Sequence, residues 1–215
     1  MDFSLNVVFS FSVAVGVAIG WVRYHKTDPA FLPFLLLLTV GLLNEIISYS
    51  LISVGQSNAV NYNLYSLVEA MLVIWQFKKW GFFGAGRWHV LIQVALVAAF
   101  TTEWLLRHEW HAFNSYFLMG YSLLIVFMSI YMVNRLLFSI TGNLLREPVF
   151  LICMGFSVYF SYTVLVEAFW LYGLNQSRSF RLSIYDILSY INLFTNLLYA
   201  VAILWIPLKP RYIMR

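Results

Sequence analysis

The sequence predicts an all-α integral membrane protein: a bundle of seven transmembrane helices with the N-terminus outside and the C-terminus in the cytoplasm. Three observations lead there. The 215 residues are 62% hydrophobic and only 10% charged, whereas a soluble domain runs at about 45–50% apolar and 25% charged. Apolar runs of about twenty residues recur seven times, each long enough for a ~30 Å hydrocarbon core. Lysine and arginine collect in alternate connections between those runs.

The runs cover about 4–22, 30–54, 61–80, 88–106, 112–135, 148–172 and 182–206. The first is a retained helix and not a cleavable leader, because Asp2 stands where a basic segment belongs and no small-residue cleavage site follows. Pro29 and Pro148 open the second and sixth at a first-turn position, where the missing N–H costs nothing. Gly55 and Gly173 mark helix ends, and Pro207 closes the last run. The connections are short, so residues 1–215 read as a single transmembrane domain. The one cysteine, Cys153, lies inside an apolar run and excludes an intrachain disulfide or a cysteine-cluster metal site.

Orientation follows from the basic residues. Ten lie on one side: Arg23, Lys26, Lys78, Lys79, Arg87, Arg135, Arg146, Lys209, Arg211 and Arg215. Three lie on the other: Arg107, Arg178 and Arg181. The richer side is cytoplasmic by the positive-inside rule. The net charge of +4 is thus a topology signal, and the expected partner is a lipid bilayer and not nucleic acid. Trp21, Trp80, Trp88 and Trp205 at inner ends, and Trp104, Trp110 and Trp170 at outer ends, fit an aromatic belt.

Of nine carboxylates, Asp28 and Glu147 fall on the cytoplasmic side and Asp2 and Glu109 at the outer surface. The other five fall within runs, all in the outer half. At 1.5 Å per residue, Asp186 and Glu103 lie about 7 Å below the outer helix ends, Glu167 about 9 Å, Glu69 about 12 Å and Glu45 about 15 Å. An acid at the helix centre costs about 2.5–3.5 kcal/mol on insertion scales, so these side chains should point inward, at partners or a water-filled cavity.

Helical spacing supports inward stripes. Tyr62, Ser66, Glu69, Val73 and Gln76 recur at three- and four-residue steps, as do Asp186, Ser189, Asn192, Asn196 and Tyr199. Glu45 shares a face with Ser48, with Asn44 beside it, and Thr163, Glu167 and Trp170 align. The expected site is a funnel, open to the outside and narrowing towards Glu45, Glu69 and Asn192. Its candidate ligand-binding residues are Glu45, Glu69, Glu167, Asp186, Asn192, Asn44, Tyr62 and Ser66. Every basic residue is near the end of a run, so the balancing charge must come from a bound cation, a cationic ligand or protons on the carboxyls. No organic cofactor is expected.

Plainer roles compete with this reading. Asn, Ser, Tyr and protonated Glu also serve as hydrogen-bond glue between membrane helices. Asp186 fits a helix N-terminus, where negative charge is favoured. Glu103, beside Thr101 and Thr102, fits an interfacial position, and Ser115, Ser122 and Ser129 fit close helix packing. His108 and His111, with Glu103 and Glu109 nearby, form a weak candidate metal cluster at the outer mouth. Retinal chemistry is excluded because no lysine lies within the seventh run. Hydrolases that use several intramembrane histidines, or a serine or cysteine nucleophile with a histidine base, are excluded because no histidine lies deep in a run: His25 and His89 fall at the cytoplasmic interface.

The halves 1–80 and 112–207 form a weak repeat with the fourth run as linker. Pro29 matches Pro148, Glu45 matches Glu167, Gly55 with Gln56-Ser57 matches Gly173 with Gln176-Ser177, and Glu69 matches Asp186. This three-one-three order resembles the plan of sugar and vitamin uniporters, which implies a substrate site near the midplane where the repeats meet. The stretch Asn61-Tyr62-Asn63-Leu64-Tyr65-Ser66-Leu67-Val68-Glu69 and the Asn-rich last run ending Ala202-Ile203-Leu204-Trp205-Ile206-Pro207 resemble uncharacterised seven-helix bacterial membrane proteins. That resemblance supports the seven-helix fold, and the expected location is the plasma (bacterial inner) membrane. The expected function is binding and translocation of a small cationic or polar solute. A ligand-sensing receptor subunit is the first alternative, and an intramembrane carboxylate- or metal-dependent hydrolase the second. The sequence leaves a homo-oligomer open.

Overall fold

The computed structural model describes residues 3–107, 112–139, 143–172 and 177–207, and all regular structure in them is helical. The first expected run is two helices, α1 (Phe3–Phe11) and α2 (Val13–Arg23). The rest are α3 (Leu32–Ser53), α4 (Ala59–Lys79), α5 (Trp88–Arg107), α6 (Ser115–Ser139), α7 (Pro148–Leu171) and α8 (Arg178–Trp205). Their ends fall within four residues of the expected ones. Asp2, residues 108–111 with His108, Glu109, Trp110 and His111, the pair Gly173 and Gln176, and the basic tail Lys209, Arg211 and Arg215 lie outside the described residues.

Six segments are long and apolar enough to cross a membrane: Val7–Lys26, Pro29–Ser53, Trp88–Arg107, Ser115–Ser139, Pro148–Leu171 and Asp186–Trp205. Helix α4 has the length, 21 residues or about 31 Å, but not the apolarity. Asn61, Asn63, Ser66, Glu69 and Gln76 dilute it, and four of these five, all but Asn61, are buried against other helices.

The helices follow one another around a ring. Each of α2 to α7 packs on its successor, and α8 returns to α1 and α2. One end of the ring carries residues 24–31, 80–87 and 143–147, and is called the Pro29 end. The Gly55 end carries residues 54–58 and 112–114. The Pro29 end is tied across the ring by Asp28 N–H to the Pro207 carbonyl at 3.1 Å.

Gln76 secures the same end. Its side chain, wholly buried, donates to the Ala30 carbonyl at 2.9 Å and accepts from Phe34 N–H at 2.8 Å. Phe34 N–H is one of the donors that the start of α3 leaves unpaired, and Pro33 has no N–H to offer the Ala30 carbonyl. Above this staple, Phe34, Phe77, Phe156, Phe160 and Tyr199 form an aromatic core with centroids 5.4 to 6.3 Å apart, edge-on except for the tilted Phe77–Phe156 pair. Helices α7 and α8 approach so closely there that a Cβ on Gly155 would overlap the Tyr199 ring.

The break at Ser12 was not expected, because no proline or glycine marks it. The Ser12 N–H and hydroxyl both donate to the Phe9 carbonyl, at 3.3 and 2.6 Å. The hydroxyl in turn accepts from the Asn196 amide at 3.0 Å. A side chain entering the helical ladder in this way is a recognised cause of helix interruption.

Candidate functional site

The site is built around Glu69, midway along α4. The Tyr65 hydroxyl, one turn back on the same helix, donates to one carboxyl oxygen at 2.7 Å. The Tyr121 hydroxyl, from α6, donates to the other at 2.6 Å. The side chain is only 5% exposed, yet it borders a cavity of about 80 Å³ in the middle of the ring. The expected partner Ser66 does not reach it. The Ser66 hydroxyl is turned back onto the Asn63 carbonyl at 2.7 Å and does not line this cavity. A short hydroxyl on a helix closes on its own backbone, whereas a tyrosine four residues before the acid can span the turn.

Glu45 of α3 borders the same chamber, as does Ser10 of α1. Asn44 also lines it, and its side-chain oxygen accepts from Asn61 at 2.8 Å. Asn61 further donates to Ser48 Oγ at 3.1 Å. Asn192 and Asn196 of α8 complete the polar wall with Tyr62, Tyr65, Tyr159 and Tyr199. Ser10 and Val13 flank the Ser12 break, so the interrupted helix faces the chamber. Among the described residues, no lysine or arginine lines it. At about 30 Å³ of liquid volume per water molecule, the space admits a few waters or a small ion. Drug-sized ligands need about 300 Å³ or more.

The four acids expected to share one cavity are divided by the structure. Glu167 lines a second, larger chamber of about 630 Å³ at the Gly55 end, together with Ser115. Tyr62 and Tyr159 line both chambers and form the partition between them. Asp186 is half-buried, engaged with its own partners, and borders neither chamber. Glu45 and Glu167, matched by the repeat, therefore occupy different chambers.

Glu103 is committed elsewhere. Its carboxylate accepts from the backbone N–H groups of Tyr116 and Phe117, at 3.1 and 2.6 Å, and lies 3.3 Å from Arg107 Nε. It thus satisfies the start of α6, where unpaired donors and the helix dipole favour an anion. Its suggested metal-binding companions, His108 and His111, lie outside the described residues. Among the described residues, no three His, Cys, Asp or Glu side chains gather as a metal site. Asn63 anchors the segment before α6, donating to the Ala112 carbonyl at 2.8 Å and accepting from Asn114 N–H at 3.0 Å.

Two groups central to the site were not among the expected ones. Tyr65 was legible in principle, since it stands four residues before Glu69. Tyr121 was not, because 52 residues separate it from Glu69 and only the ring closure of α4 with α6 brings them together. Six segments long and apolar enough to cross a membrane define the class: a multi-pass α-helical membrane protein. Compared with family models, curated proteins and solved structures, the chain matches none of them.

Proposed function

We propose that the protein spans the plasma (bacterial inner) membrane seven times, with α4 as the seventh and most enclosed span. In this reading it binds and translocates a small cationic or polar solute. The observation that carries the reading is Glu69: a carboxylate fixed by two tyrosine hydroxyls, facing a chamber without a basic side chain. Fixing an acid this firmly at mid-helix organises a polar centre that an apolar bundle does not need. The small volume favours a small ion, and Glu45 supplies a second acid. The larger chamber beyond Tyr62 and Tyr159 supplies the approach. The polar face of α4 argues for its seventh span, because its acid, amides and hydroxyls are turned to the ring and away from lipid.

The topology is tested by reporter fusions. A fusion after Trp205 and one in residues 80–87 are both expected to report cytoplasmic, and one in residues 54–58 to report the opposite side. A C-terminal reporter on the outside would overturn the orientation. The function is tested with purified protein in liposomes, using a panel of small cations (sodium, potassium, ammonium, methylammonium and guanidinium). Saturable, counterflow-competent uptake of at least one is expected. Binding without uptake would move the reading to a sensor, and neither binding nor uptake would remove it.

A further inference from the structure

We infer that the larger chamber at the Gly55 end is a binding site in its own right, for an organic ammonium ion. Its elements are the Glu167 carboxylate and the rings of Tyr62, Phe113, Tyr159 and Trp170. The inference does not rest on passage of any solute through the central chamber.

Charge comes first. Arg107 also lines the chamber, which at first sight would favour an anion. Its guanidinium is already engaged. Nε lies 3.3 Å from Glu103, Nη1 donates to the Phe113 carbonyl, and the group lies over the Tyr116 ring at 5.4 Å. Arg107 and Glu103 cancel, so Glu167 sets the sign of the chamber. Glu167 is only 9% exposed, and the Ser115 hydroxyl that lines the chamber with it is neutral. Its charge is therefore available to an occupant.

The walls decide which cation. A bare metal ion needs about six oxygen ligands, but Val166, Leu171 and Leu188 make much of this wall apolar. The Thr163 hydroxyl is turned onto the Tyr159 carbonyl at 3.1 Å. An organic ammonium is weakly hydrated, gains from aromatic faces and places its apolar body against the aliphatic wall. The volume of about 630 Å³ lies within the usual range for small-molecule sites, about 300–1,000 Å³. The central chamber is too small for the same ligand. Tyr62 and Phe113 meet edge-on at 5.6 Å and 78°, which holds one corner of the aromatic wall rigid.

The test uses choline and its neutral carbon isostere, 3,3-dimethylbutanol, with detergent-purified full-length protein and titration calorimetry. Choline is expected to bind one per chain, and the isostere about tenfold or more weakly. Glu167→Gln keeps the shape and is expected to weaken choline about tenfold. Trp170→Ala should weaken it several-fold; this side chain is 43% exposed, so the fold tolerates the change, and the variant decides the matter should Glu167→Gln not fold. Glu69→Gln should bind choline as the parent does. Absence of choline binding, equal binding of the isostere, or parental affinity in both chamber variants would overturn the inference. So would loss in Glu69→Gln with retention in Glu167→Gln, which would place the ligand in the central chamber. A free solute and a lipid headgroup share this chemistry. Weaker choline binding in phosphatidylcholine nanodiscs than in phosphatidylglycerol nanodiscs identifies a headgroup as the natural source, and equal binding identifies a free solute.

Discussion

Glu69→Gln is expected to stay folded and to lose the stabilisation that a bound small cation gives the parent. The carboxylate offers acceptors only. Tyr65 and Tyr121 each occupy one of its oxygens, and the remaining acceptor capacity borders the chamber. A glutamine keeps one oxygen for one tyrosine and presents an amide donor to the other, so one hydroxyl must turn. The structural cost is about that of a single hydrogen bond, 1 kcal/mol or so. The lost charge matters far more to a cation, because no other group at this level of α4 can replace it. Ligand at about one hundred times its dissociation constant stabilises the parent by about 2.7 kcal/mol, a rise of about 5 °C or more for a chain of this size. The measurement is thermal unfolding in detergent across the cation panel, for parent, Glu69→Gln and Tyr121→Phe. Tyr121→Phe retains the charge, so it should retain much of the cation response. Identical responses in parent and Glu69→Gln would reduce Glu69 to interhelical glue and leave Glu45 as the candidate.

Helix placement was readable because lipid imposes one simple requirement, and about twenty apolar residues at a time announce themselves. Prolines at 29 and 148 further marked where chains enter helices. The burial of acids was readable for the same reason: an acid in an apolar run has few alternatives. Which acids meet was not readable. Glu167 lies only about 6 Å higher than Glu45 by helical rise, yet the partition made by Tyr62 and Tyr159 puts them in different chambers. Such a partition depends on how α4 and α7 lean, and periodicity within one helix carries no information on that. Glu103 illustrates the opposite limit. Its depth resembled that of a site residue, but the start of α6 packs beside it and uses both its oxygens. The interruption at Ser12 depends on Asn196, 184 residues away. Local rules locate a side chain on a face; the ring decides what that face meets.

Gly155→Ala is expected to destabilise the protein and to close the central chamber in one step. A methyl group there would overlap the edge of the Tyr199 ring and sit 3.0 to 3.1 Å from its Cζ and Oη. The ring cannot retreat into the core, because Phe34 and Phe156 meet it edge-on at 5.4 and 5.8 Å. Its open side is the chamber it lines. Two relaxations remain: α8 moves away from α7, or Tyr199 swings into the chamber. Overpacking of this kind costs about 1–3 kcal/mol, or about 2–4 °C per kcal/mol in a chain of this length. The swing also fills space that amounts to a few water molecules, so cation-dependent stabilisation should fall with it. A double-mutant cycle separates the close approach from a general loss of helix packing. Tyr199→Ala alone destabilises by leaving a cavity. Combined with Gly155→Ala it should cost less than the two changes added, because the methyl group then has room, and contacting residues couple by about 0.5–3 kcal/mol. Strict additivity, or a Gly155→Ala protein as stable as the parent with its cation response intact, would show that α7 and α8 do not meet in this way.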